Sequence, residues 1–110
     1  MKVIVETPQV KAREELIDFV QEKVGKLEGF SDRLLEARVV LRVDQTSDRV
    51  NKICQIRGVI PGNDLFAEKQ AQSFEEAVLM AVDALKRQLV DWKEKNKVQP
   101  DRVIFKPEDE

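Results

Sequence analysis

Histidine is absent from this chain, cysteine occurs once, and no apolar run approaches the ~20 residues that a membrane helix needs. Without histidine there is no Ser/His/Asp triad, no Cys/His pair and none of the common His-containing zinc sites. No glycine-rich phosphate loop is present either. The lone Cys54 can form no internal disulfide and has no imidazole to activate it, so it reads as a small buried hydrophobe. The N-terminal segment Met1 to Glu6 has too short an apolar stretch, with an acid too close behind it, for a secretory signal. These absences lead to the expectation of a cytoplasmic protein that is not an enzyme: no catalytic residue, cofactor or metal, and neither a membrane nor a small-molecule substrate as partner.

What is present is ordinary folding material. At 110 residues the chain suits one domain. An apolar fraction of 42% beside 36% charged residues excludes disorder and describes a packed core under a heavily solvated surface. The carboxylates are scattered among lysines and arginines, as on solvated helix faces, and offer no catalytic pair.

Lys2 to Glu6 reads as a β-branched strand, ended by Pro8. From Ala12 to Glu28 the residues Leu16, Val20, Val24 and Leu27 form one stripe, flanked by Ile17 and Phe19, which predicts a helix with Gly29 as its stop. Leu35, Ala37, Val39, Leu41 and Val43 then alternate with Glu36, Arg38, Val40 and Arg42, a half-buried strand. Asp44 to Arg49 is a polar turn, Ile53 to Ile60 a third strand, Pro61 to Asp64 a turn and Leu65 to Ala71 a fourth strand. Ser73-Phe74-Glu75-Glu76 has the form of a capping box opening a second helix. Its stripe Phe74, Ala77, Val78, Ala81, Val82, Leu85, Leu89 and Trp92 runs on to Lys93-Glu94-Lys95-Asn96-Lys97. The expected organisation is a domain over 1–98 and a flexible acidic tail over 99–110.

The order β-α-β-β-β-α predicts an α+β fold: a four-stranded mixed sheet, strands one and two parallel through a helical crossover, with both helices on one face. Pairing strands two and three about the Gln45 to Arg49 turn sets Leu41 opposite Cys54, Val39 opposite Ile56, Ala37 opposite Gly58 and Leu35 opposite Ile60. Folding about Pro61-Gly62 sets Gly58 opposite Ala67 and Arg57 opposite Glu68. A row of small residues, Ala37, Gly58 and Ala67, is then expected beneath a closely packed helix.

With no catalytic constellation, the bases carry the information. Lys86, Lys93 and Lys97 fall on one flank of the second helix, and Lys23 and Lys26 lie together near the end of the first. Such ridges suit phosphate, because each lysine acts as a point charge. They are also what a helix macrodipole collects at its C-terminus, and both readings stay open. Arg87, four residues from both Asp83 and Asp91, reads first as a surface salt network. On the open sheet face Arg38 stands opposite Arg57, with Arg42 nearby, and Glu68 is the expected counter-charge. A net charge of −2 is low for a nucleic-acid binder, although the last six residues hold three of the acids.

The segments Pro61-Gly62-Asn63-Asp64-Leu65-Phe66-Ala67-Glu68, Ser73-Phe74-Glu75-Glu76-Ala77 and Ala81-Val82-Asp83-Ala84-Leu85-Lys86-Arg87-Gln88-Leu89 resemble the ribosome hibernation-promoting factor family, which includes protein Y and the sigma-54 modulation proteins. Leu16-Ile17-Asp18-Phe19-Val20 and Lys23-Val24-Gly25-Lys26-Leu27 agree, so the resemblance runs from Met1 to about Lys97. It implies a fold similar to a double-stranded-RNA-binding domain. It also implies binding to the small ribosomal subunit, both 16S rRNA and ribosomal proteins, on ground used by messenger and transfer RNA, so that idle ribosomes are silenced. Lys23, Lys26, Arg87, Lys93 and Lys95 occupy positions where the family's helices contact ribosomal RNA, and with Lys86 and Lys97 they make up the expected RNA-binding set. Where relatives read Gln-Leu-Lys-Lys before an aromatic residue, this chain has Gln88-Leu89-Val90-Asp91 before Trp92, which implies weaker electrostatic attraction. Longer members add a dimerisation domain, and the short stand-alone form is the expectation here. The alternative is a protein-interaction or transcription-modulating module using the open sheet face or the tail.

Overall fold

The structure is a computed structural model that describes residues 1–97, with the side chains of 96 and 97 left aside. The expected tail and the Lys97 side chain therefore lie outside the described residues. Chain order is β1 (Lys2–Glu6), α1 (Glu14–Gly25), a 3-10 turn (Lys26–Phe30), β2 (Glu36–Val43), β3 (Lys52–Ile60), β4 (Asn63–Ala71) and α2 (Phe74–Lys97). The strands form one sheet in the order β1-β2-β3-β4, with β1 parallel to β2 and the remaining pairs antiparallel. α1 packs on β1 and on α2, and α2 packs on β3 and β4, so both helices cover the same face.

Helix α1 begins two residues later than its stripe predicts. Arg13 is still extended at ψ 156°, and Glu14 and Glu15 fill the first turn, where acids favour the positive end of the helix dipole. Its end also differs. The chain tightens into the 3-10 turn after Gly25, which carries Leu27 into the core with no exposed surface. Gly29 lies inside that turn and is not a left-handed stop; among the described glycines only Gly62 has a positive φ, at 80°. At α2 the Ser73 hydroxyl accepts the Glu76 N–H at 3.1 Å, as a capping serine should. Glu76 returns to that hydroxyl at 3.4 Å and not to the Ser73 backbone N–H, so the box closes only on its serine side.

The β2–β3 register is as expected, with Leu41 opposite Cys54, Val39 opposite Ile56 and Ala37 opposite Gly58. The β3–β4 register is not. Ile60 pairs with Asn63, so the hairpin turns on Pro61 and Gly62 alone. Proline fixes φ near −65° and glycine supplies the positive φ that a type II turn needs at its next position. The strand thus starts two residues earlier than the composition of Pro61 to Asp64 suggests. Gly58 faces Leu65, and Ala67 faces Ile56. The three-residue small row is therefore corrected to Ala37 and Gly58, closed by Leu65. A shift of two residues preserves the alternation, so Leu65 and Ala67 still point inward and are buried.

The close approach survives the correction. A Cβ placed on Gly58 would meet Leu34 Cδ1 at 3.1 Å and Leu85 Cδ2 at 3.3 Å, so the absent side chain is what admits both leucines. Leu85, Leu89, Val78, Val20, Val24, Val39 and Ile56 are wholly buried around this point. Leu35 is the exception to its strand's pattern at 57% exposed, since it sits at the entrance to β2 at the end of the sheet.

Candidate nucleic-acid interface

The two helices run in the same direction. Near their N-termini Leu16 and Phe74 line one cleft, and at the other end Phe30 meets Lys86 and Arg33 meets Trp92. Both C-termini, with their lysines, therefore come to one end of the molecule. Leu16, Phe19 and Lys23 share a flank of α1, and Leu16 places that flank toward α2. Lys86 lies on the flank of α2 that meets the segment after α1, since its Nζ stands 4.8 Å from the Phe30 ring centroid; Lys93, seven residues on, lies on the same flank. Lys23 lies 5.6 Å from the Phe19 ring, and Lys26 is exposed in the 3-10 turn.

Lys23, Lys86 and Lys93 thus lie on flanks that border the seam between the helices, and Lys26 is exposed in the turn that follows α1. Resting an ammonium over an aromatic ring holds it in place without removing it from water. Arg87 and Lys95 do not join them. Arg87 points outward and pairs with Asp83 at 2.9 Å, as its spacing predicts. Lys95 follows Gln88 by seven residues and so lies on the flank that faces β4.

The open sheet face is differently organised. Arg38 and Arg57 are opposite, as expected, but each has its own acid: Arg38 pairs with Glu36 at 2.5 Å and Arg57 with Asp64 at 3.4 Å. Glu36 accordingly raises the Arg38 pKa, by hydrogen bond and by charge. Glu68 stands opposite Gln55, not Arg57, and binds Arg42 at 3.3 Å and Gln55 at 2.5 Å. The two-residue turn is again the cause: it sets Phe66 in the place expected of Glu68 and leaves Asp64, opposite Val59, as the diagonal partner of Arg57. Arg57 also lies 6.0 Å from the ring of its cross-strand neighbour Phe66. At the end of this face Asp44 accepts both the N–H and the hydroxyl of Thr46, at 2.9 and 2.7 Å, and these bonds, with one from Gln70, hold its carboxyl below the usual range.

Cys54 is buried, and desolvation pushes its thiol up to about 12. Among the described residues no cluster of three or more Cys, Asp or Glu could hold a metal ion, and no helix is long and apolar enough to cross a membrane.

Residues 3–97 match the family described as sigma 54 modulation protein / S30EA ribosomal protein. The chain belongs to this family. Similar members are the ribosome hibernation promoting factor of Pseudomonas putida, 28% identical over 95 residues covering 86% of this chain and 89% of that one, and that of Escherichia coli strain K12, 31% identical over 88 residues covering 80% and 88%. A ribosomal subunit interface protein from Coxiella burnetii has the same fold, with a TM-score of 0.76 at 16% identity over 86% of this chain and 99% of that one. Hibernation factors of this family bind ribosomes and catalyse no reaction.

Sequence reasoning missed two residues at this end. Arg33, in the irregular segment before β2, has no periodic signal to single it out. Trp92, read as core, is only half-buried, and it packs against the core while lining a surface cleft.

Proposed function

We propose that this hibernation factor silences idle ribosomes by laying the seam between its helices on the small subunit, with Lys23, Lys26, Lys86 and Lys93 on ribosomal RNA phosphates. The ground so covered is that needed by messenger and transfer RNA, and the place of action is the cytoplasm. The observation that carries this reading is the parallel course of α1 and α2, which gathers lysines from separate parts of the sequence at one end. Phosphate recognition by point charges tolerates the flexible geometry of exposed lysines. The open face is a poorer RNA surface, because a phosphate approaching Arg38, Arg42 or Arg57 must displace a carboxylate already in place. Arg87 and Lys95, which stand off the seam, stay in the proposed set together with Lys97, whose side chain lies outside the described residues.

Co-sedimentation with purified small and large subunits at increasing salt tests the proposal. Saturable binding to the small subunit, falling linearly on a logarithmic salt scale, is the expected result. Equal binding to both subunits, or binding indifferent to salt, overturns it.

A further inference from the structure

A cleft of about 440 Å³ opens where the segment following α1 passes the last turns of α2. That volume lies in the range of small-ligand sites, roughly 300–1,000 Å³. Its lining combines Phe30, Trp92, Arg33 and Lys93 with the acids Asp32 and Glu94. The Arg33 guanidinium lies over the Trp92 ring, 5.9 Å from its centroid, while the indole itself is anchored on the core. Bases stack on aromatic rings and on guanidinium planes alike, so a guanidinium already laid on an indole is a flat cationic platform.

We propose that this cleft receives one unpaired nucleotide of RNA, its base stacked on the Arg33–Trp92 pair and its phosphate on Lys93. The inference deepens the ribosomal reading and rests on it for the source of the RNA. Asp32 and Glu94 are acceptors only, which suits a base edge bearing amino or imino N–H groups and directs phosphate to the lysine side. A base held within a duplex stack cannot offer its face to the platform, so single strands are the expected ligand and duplexes are not.

Trp92 is the chain's single tryptophan, so its emission reports on this cleft. The full chain is titrated with a short single-stranded oligoribonucleotide and, separately, with a blunt duplex of the same sequence. Saturable quenching by the strand and none by the duplex is expected. Arg33→Ala, at an exposed position, should leave melting unchanged and weaken strand binding by about 5- to 100-fold. Trp92→Phe, followed by anisotropy of a labelled strand, should retain most of the affinity, because a smaller ring still stacks. Equal quenching by duplex, no saturable quenching, or an Arg33→Ala variant that binds the strand as the parent does overturns the inference. Parallel sedimentation of the parent with small subunits separates the two readings. Subunit binding without quenching removes the cleft and leaves the proposed function; quenching without subunit binding does the reverse.

Discussion

The side-chain amide of Gln88 clasps the backbone of Phe66 at both polar groups: its Nε2 donates to the carbonyl oxygen at 2.7 Å and its Oε1 accepts the N–H at 3.2 Å. Phe66 lies on β4, the outer strand of the sheet, so this amide stands where a further strand would pair. Gln88→Ala should lower stability by about 0.5–1.5 kcal/mol, read from urea unfolding. Gln88→Glu should cost at least as much, since a carboxylate has no donor for the Phe66 carbonyl.

Gly58 supplies a second test of packing. Gly58→Leu should destabilise by about 1–3 kcal/mol through overpacking against Leu34 and Leu85. Gly58→Ala should cost on the order of 1 kcal/mol or less, because both contacts are methyl ends of flexible side chains that can give way. Equal effects in chemical denaturation would mean that the leucines do not meet over the glycine.

For the basic seam, a combined Lys23→Gln, Lys26→Gln, Lys93→Gln variant should melt almost normally, since surface changes shift stability by about 0.5 kcal/mol or less each. It should lose much of its small-subunit affinity, and each lost phosphate contact should lower the salt slope by about 1. Val90 lies three residues from Lys93 and four from Lys86, on the same flank, whereas Asp91 lies beyond it beside Arg87. Val90→Lys should therefore raise affinity more than Asp91→Lys does, measured by sedimentation at fixed salt.

Cys54 carries a pH prediction. A thiol raised to about 12 in the fold stays neutral at pH values where the unfolded chain has already ionised it. Its contribution to stability is full below the unfolded value, near 8.5, and is lost as pH rises from there toward the folded value. Stability should fall over that alkaline window, and less so in Cys54→Ala after allowance for the cavity. The native thiol should resist a disulfide reagent at neutral pH and react on unfolding.

Alternation made β2 legible because one face of it is buried and the other wet, and the same parity kept Leu65 and Ala67 inward although their partners were misassigned. That misassignment has one cause: composition marks Pro61 to Asp64 as turn-forming without saying that two of the four residues suffice. The lysines could be placed on helix flanks from spacing alone. Which flank of α1 faces which flank of α2 could not, since it depends on how the helices pack. Gln88 and Arg33 were illegible as contacts for a related reason. The partner of Gln88 is backbone 22 residues away, which has no sequence signature, and Arg33 acts from an irregular segment with no period to read.

Ile53 faces away from the helices, opposite Arg42 and Gln70, yet only 4% of it is exposed and it belongs to no part of the main core. Beside it Gln70 ties the β2–β3 connection down, donating to Val50 O at 2.5 Å and to Asp44 Oδ2 at 2.9 Å. The nominally bare side of the sheet is therefore a shelf with a raised end.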